Sequence, residues 1–296
     1  MTDGRRCVVV ADVGGTFVKS ALFDTEGNLL PGGIVETRID SGGTAETIAR
    51  GFHAVARRMA THADRVHAVV QAIGISVPGP FDYEHGRFLM NHKYRTIKGI
   101  RIRPWFTDVF GPVPIRFVHD AAAAMMGLMT EPGMERYSRV AVVTLGTGLG
   151  FAMAIDGKVQ LNGQGCPTIS LFDRPYRNGI AEDYVSRRGI LARYREYSGN
   201  HETLDVVDVA TLAQGNDAHA LTVFRETGTM LGEILRPVLI EQGIECLFIG
   251  GQIARSARLF DCSLRAALGV IPSLHAVQTV SDFTILPLRG AFLATR

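Results

Sequence analysis

One pattern occurs twice in this chain. Residues 7–13 form an apolar run, Gly14-Gly15-Thr16 interrupt it, residues 17–23 resume it, and turn formers occupy 24–28. The second copy is the run 139–145, then Gly146-Thr147-Gly148, the run 149–155, and Asp156-Gly157. Each copy reads as a strand, a tight Gly/Thr loop and a second strand ending in a turn. The echo predicts two lobes of related design, with the two loops facing one another.

Helical and strand patterns alternate around these hairpins. Residues 44–63 place Ile48, Phe52, Val55, Ala56 and Met59 at helical spacing behind Thr44, a favourable N-cap. Residues 68–77 read as a strand running into the turn Pro78-Gly79-Pro80, and residues 115–118 as a short strand before a helix over 121–129. Further helices are expected over 183–197, over 218–241 with a bend near Pro237, and over 254–268. A buried strand over 246–249 ends in Gly250-Gly251, and a last strand and helix are expected within 283–295. The chain is thus expected to be mixed α/β. Residues 1–119 and 284–296 would form an N-terminal lobe, and residues 120–283 a C-terminal lobe.

At 296 residues the chain can bury a substantial core. Hydrophobic residues at 46% and charged residues at 20% suit an ordinary globular protein, and a formal charge of +2 leaves no broad basic footprint for nucleic acid. The first apolar run is short and interrupted by Asp12, unlike a signal peptide. The longest uncharged stretch, 140–155, is broken by glycines and is shorter than the ~18 apolar residues of a membrane span. These features predict a cytoplasmic protein with neither a nucleic-acid nor a membrane partner. Cys7, Cys166, Cys246 and Cys262 lack C-x-C or C-x-x-C spacing, so neither a structural zinc site nor a disulfide framework is expected.

Three short segments carry candidate chemistry. Asp12-Val13-Gly14-Gly15-Thr16 ends a strand in a carboxylate and turns through two glycines. Such a turn presents backbone N–H groups to phosphate oxygens, and Asp12 could hold Mg²⁺ through water. Alone, the same residues read equally well as a plain hairpin turn. They are not a Walker A loop, because Val18 precedes Lys19-Ser20 and strand-like sequence follows. Gly146-Thr147-Gly148-Leu149-Gly150 supplies a second such loop. His119-Asp120 stands between a strand and a helix; by itself Asp120 reads best as a helix N-cap, and functionally as a general base.

The segments 12–19, 74–80 (Gly-Ile-Ser-Val-Pro-Gly-Pro), His119-Asp120-Ala121, 145–150 and 249–251 together resemble the ordered motif set of the ROK family of bacterial sugar kinases and sugar-responsive repressors. The match runs in order over nearly the whole chain. The resemblance implies the two-lobed, actin-like, ribonuclease-H-type ATPase fold, with ATP and sugar in the cleft between the lobes. It implies phosphorylation of a hexose or related sugar by ATP with Mg²⁺, and a homodimer. Asp120 would be the catalytic base. Asp12, Gly14, Gly15, Thr16, Lys19, Gly146, Thr147, Gly148, Gly150, Gly250 and Gly251 would serve the nucleotide, the last two beside the adenosine. Pro78, Gly79, Asn91, His119, Asp120 and Glu182 would face the sugar.

The family pattern breaks in three places. His119 stands where members commonly carry Asn. The Glu-x-Gly-His segment reads Gly163-Gln164-Gly165-Cys166, and residues 173–178 replace the cysteine-rich zinc loop. These losses spare the phosphate elements and alter the sugar pocket. The expected acceptor is then another hexose, an amino sugar or a glycoside, although Asp120 and Glu182 keep glucose a candidate. A catalytically degenerate sugar-binding or sensing protein is the alternative, which the retained Asp120 and both glycine loops oppose.

Overall fold

Two five-stranded sheets with one common strand plan organise the computed structural model, which describes residues 5–91, 93–280 and 282–296. Contacts group the chain into two units. The first runs to Glu131 and also takes in Leu161–Pro167 and Thr284–Arg296; the second holds Pro132–Gln160 and Thr168–Phe283.

The first unit begins with the hairpin β1 (Arg5–Val13) and β2 (Phe17–Asp24), then β3 (Val35–Arg38), α1 (Ala45–Arg65) and β4 (Ala68–Val77). The small ribbon β5 (Phe81–Asp82) and β6 (Arg87–Phe88) follows, then α2 (Pro104–Phe110), β7 (Ile115–His119) and α3 (Asp120–Leu128). Its sheet order is β3-β2-β1-β4-β7, antiparallel on the hairpin side and parallel from β1 to β7. Parallel strands are covered on both faces, which explains the unbroken burial of Cys7, Val8, Val9, Val10 and Ala11. Helix α1 starts where expected, the Thr44 hydroxyl accepting from the Thr47 N–H at 3.2 Å. The helix buries Ile48, Phe52, Val55, Ala56 and Met59; the four larger of these side chains are worth about 1.5–3 kcal/mol each when fully removed from water.

The second unit repeats the plan. Its hairpin is β8 (Arg139–Leu145) and β9 (Leu149–Ile155), extended by β10 (Lys158–Val159). The ribbon β11 (Pro175–Tyr176) and β12 (Gly179–Ile180) leads into α4 (Ala181–Val185), α5 (Arg187–Ser198), α6 (Val206–Gln214) and α7 (Ala218–Glu241). Strand β13 (Cys246–Gly250), the 3-10 segment Ile253–Leu259, α8 (Asp261–Leu268) and β14 (Ala276–Thr279) complete it. The order β10-β9-β8-β13-β14 has the same antiparallel and parallel halves as the first sheet. The chain then returns to the first unit as α9 (Ile285–Leu293).

Three sequence expectations are corrected. The single helix over 183–197 is two, because Ser186 takes extended backbone (φ −85°, ψ 175°). Residues 254–268 are likewise a 3-10 segment and a helix, with Ser256 outside helical geometry. The last strand lies earlier than 283–295: β14 is a short edge strand of half-exposed and exposed residues, which leaves a faint apolar signal. The contact boundary after Glu131 also keeps α3 within the first unit, where it packs on α9, instead of opening a second lobe at residue 120.

That packing is backbone against backbone. A Cβ on Gly290 would stand 1.9 Å from the Ala123 carbonyl oxygen, one on Gly127 2.1 Å from that of Leu286, and one on Gly74 2.0 Å from that of Ala291. A carbonyl built into a helix cannot swing aside, so a side chain here must separate the elements. Gly290→Ala is expected to lower the unfolding free energy by at least about 1–3 kcal/mol, the range for overpacked cores. The effect should be read as a lower urea midpoint at unchanged slope. A midpoint equal to the wild type would show that the helices part at no cost.

Candidate active site

Strands β1, β4 and β7 are parallel neighbours ending at one edge of the first sheet. Register pairs Asp12 with Ser76 and Val77 with His119. The topology therefore gathers Asp12 and the loop after β1, Pro78 and Gly79 after β4, and His119 and Asp120 at the end of β7. Open α/β sheets bind ligands at the carboxyl ends of their strands.

In-register side chains of parallel neighbours share a face, and the fully buried Ser76 donates its hydroxyl to Asp12 Oδ1 at 2.7 Å. Burial pushes Asp12 up to about 6; the Ser76 hydroxyl opposes the rise, the charge of Asp120 adds to it and Lys19 opposes it.

Asp120 is in the opposite state. His119 is the N-cap of α3, its Nδ1 accepting from the Ala121 N–H at 3.2 Å, so Asp120 is the first helical residue and not the cap. Asp120 Oδ1 accepts from the same N–H at 2.7 Å, and His119 Nδ1 stands 3.0 Å from that oxygen. Burial would raise Asp120, but His119, the Ala121 N–H and Lys93 outweigh it and hold the carboxyl below its ordinary range. Its side chain is 41% exposed, so the carboxylate is reachable. Two carboxylates in one neighbourhood are thus pushed apart, one firmly ionised and one near its titration point, the division expected where such groups take different roles.

The first glycine loop closes through the Gly14 N–H, which donates to the Phe17 carbonyl at 2.9 Å. A Cβ on Gly14 would lie 2.8 Å from that same oxygen. Thr16 is exposed, and its carbonyl accepts from the Ile39 N–H at 2.8 Å. Lys19 sits opposite Asp12 on β2, with its ammonium 3.5 Å from Thr284 Oγ1 and 3.8 Å from Glu36 Oε1. Asn91 is exposed and accepts from the Lys98 ammonium at 2.8 Å, rather than meeting the Asp12 and Asp120 group.

Sequence reasoning passed over several residues here. Ser76 is the one hydroxyl in the run Ile73-Gly74-Ile75-Ser76-Val77, a signal that becomes legible once β4 is placed beside Asp12. The Tyr83 hydroxyl donates to the Val77 carbonyl at 3.2 Å, and its ring stands 5.9 Å from that of His119. Burial, then the charge of Asp120, raises both the Tyr83 phenol and the half-buried Cys166 thiol. Tyr94 and Lys93 overlie the first loop and have no local sequence signal.

The second unit holds the other predicted residues. Its loop closes through the Gly146 N–H, which donates to the Gly148 carbonyl at 3.1 Å; Thr147 is exposed at the tip and Gly150 pairs with Thr144 in β9. Glu182, expected to face the sugar, stands against this loop. Its Oε2 accepts from the Leu149 N–H at 3.0 Å, and Arg188 Nη2 is 3.2 Å from Oε1. The break at Ser186 frees the Arg187 N–H to donate to the Gly146 carbonyl at 2.9 Å. Gly250 and Gly251 are demanded by packing: a Cβ on Gly250 would strike the Phe283 ring at 2.1 Å, and one on Gly251 (φ +91°) would lie 2.3 Å from the Leu145 carbonyl oxygen. The two glycines thereby bring the end of β13 against the strand that leads into the loop.

Among the described residues, no group of three or more His, Cys, Asp and Glu side chains is placed to hold a metal ion, and no helix is long and apolar enough to cross a membrane.

Known proteins resemble the chain across these elements. An N-acetyl-D-glucosamine kinase of Salmonella dublin is 23% identical over 265 residues, 82% of this chain and 83% of that protein. A glucokinase of Halalkalibacterium halodurans is 23% identical over 273 residues, 85% and 82% of the two chains. The crystal structure of a ROK family glucokinase from Streptomyces griseus, in complex with glucose and AMPPNP, superposes with a TM-score of 0.76 at 20% identity, over 96% of this chain and 97% of that one. That likeness, with the repeated sheet plan, establishes the two-lobed actin-like ATPase fold. The ROK family model matches residues 8–169, more than half of the sequence, and the chain belongs to the ROK family.

Proposed function

We propose that this chain is an ATP-dependent sugar kinase in which Asp120 is the general base. The observation that carries this reading is the ionised, reachable Asp120 carboxylate at the start of α3, gathered with Asp12 at the ends of three adjacent strands. Asp120 accepts the proton of the acceptor hydroxyl as its oxygen bonds to the γ-phosphorus and the bond to the β,γ-bridging oxygen breaks, releasing ADP. A carboxylate of low basicity suffices, because phosphoryl transfer through a loose transition state depends on positioning and charge neutralisation. Backbone N–H groups of the loops at Gly14-Gly15-Thr16 and Gly146-Thr147-Gly148 bind the phosphates. Glu182, Arg188 and the Arg187 N–H keep the second loop in shape.

Magnesium fits Asp12, because a half-buried carboxylate raised by desolvation and by a second carboxylate is relieved by a cation. When bound there, Mg²⁺ supplies charge neutralisation to the phosphates.

The acceptor proposed is an N-acetylated or otherwise substituted hexose. Cys166 falls in the segment where the family pattern carries polar partners for the sugar, and the hydroxyl of Tyr83 nearby is committed to Val77. A pocket without a polar partner for a hydroxyl favours sugars in which that hydroxyl is masked.

ADP release measured with Mg-ATP against hexoses, N-acetylhexosamines and β-glucosides tests both statements. Release with N-acetylhexosamines well above that with glucose is expected. Efficient turnover of glucose alone would overturn the substrate reading, and thermal stabilisation by sugar without any release would point to a sugar-binding protein. Asp120→Asn should cut turnover by about 10²–10⁴-fold, the usual share of a general base, while sugar binding persists by calorimetry. Near-normal turnover would remove Asp120 from that role.

Asp12 gives a further expectation. Its pKa is raised on folding, so its favourable contribution is full below the unfolded value and lost as pH rises through about 6. Asp12→Asn should therefore melt above the wild type at pH 8 and together with it at pH 4. Added Mg²⁺ should stabilise the wild type at pH 8 and leave the variant unmoved. A variant less stable than the wild type at pH 8 would contradict this.

A further inference from the structure

Lys93 is held over the first glycine loop by its neighbour. Tyr94 adopts left-handed backbone (φ 52°) and is fully buried; its hydroxyl donates to the Gly14 carbonyl at 2.6 Å and its N–H to the Ser41 carbonyl at 2.7 Å. These bonds fix the backbone beside residue 93 against the loop that follows β1. The Lys93 stem then lies along Gly15, where an added Cβ would stand 3.3 Å from Cε and 3.4 Å from Cδ. Gly15 has no positive φ, so backbone strain does not call for glycine there. What its missing side chain provides is room for Lys93. The charge of Lys93 is also felt at Asp120, which it helps to keep ionised. One cation thus has its stem on the phosphate loop and its field on the base.

We propose that Lys93 is a catalytic residue, its ammonium contacting the γ-phosphoryl group as that group passes from ADP to the acceptor oxygen at Asp120. The assignment rests on the kinase reading above. Lys93 keeps its protons throughout; the acceptor proton goes to Asp120, and the bond to the bridging oxygen breaks as the new P–O bond forms. Charge spreads over the three equatorial oxygens in this step, and a fixed cation there stabilises the transition state more than the ground state.

The experiment is steady-state ADP release by wild type, Lys93→Met, Lys93→Arg and Gly15→Ala, with the best acceptor of the sugar panel and with melting temperatures recorded in parallel. Lys93→Met should lower kcat by about 10²–10³-fold, as for other lost transition-state partners, with both KM values and the melting temperature close to wild type. Lys93→Arg should recover part of the loss, and Gly15→Ala, which displaces the stem, should lower kcat less than Lys93→Met does. An active wild type with unchanged kcat in Lys93→Met, or a loss confined to KM or to stability, overturns the role of Lys93 and leaves the kinase intact. A wild type that turns over no sugar overturns both.

Discussion

The contact on which the first unit depends is the approach of α9 to α3 and β4 through Gly290, Gly127 and Gly74. Side chains between helices usually act as adjustable spacers; here carbonyl oxygens and Cα atoms meet directly. Helix α3 therefore cannot shift along α9 without backbone collision. Because Asp120 is the first residue of α3, this contact fixes where the carboxylate stands relative to β4 and, through Ser76, to Asp12. The position of the proposed base is set by glycines with no part in the chemistry.

On that frame the electrostatics divide the work. Asp12 is half-buried, bonded to a buried hydroxyl and reluctant to ionise; Asp120 is at a helix start, with a backbone N–H, His119 and Lys93 in reach, and ionises readily. The same residue type thus yields a cation seeker and a proton acceptor. The second unit reaches its loop geometry by different means: Glu182, Arg188 and the interrupted helix after Val185 pin a loop that is otherwise bare glycine and threonine.

Most of this architecture was legible because it is local or repeated. The two hairpins, the cap at Thr44 and the 24-residue helix ending at Glu241 follow from periodicity, turn residues and capping chemistry. Asp12 and both loops stand out locally as strand-and-turn sequences, whereas Asp120 alone reads as a helix cap and owes its expected role to the family resemblance. What escaped depends on distant partners. Ser186 breaks a helix whose local pattern is unbroken, in favour of the bond from the Arg187 N–H to the Gly146 carbonyl. Glu182 looks like any acid in a first helical turn until the loop beside it is known, and Lys93 owes its place to a tyrosine bonded 80 residues away.

The discontinuity of the first unit has a consequence for biosynthesis. Its sheet is complete by His119, yet its closing helix is α9, translated after the whole second unit. Domains generally fold as they emerge, earliest sequence first; here the later unit has all its residues before the earlier one does. Until α9 arrives, the glycine-lined surfaces of α3 and β4 and the ring of Phe23, which stacks on Phe292 at 5.6 Å, lack their native cover. The nascent chain thus carries an unfinished apolar seam for the time needed to translate more than half its length, and the order of its elements alone sets that delay.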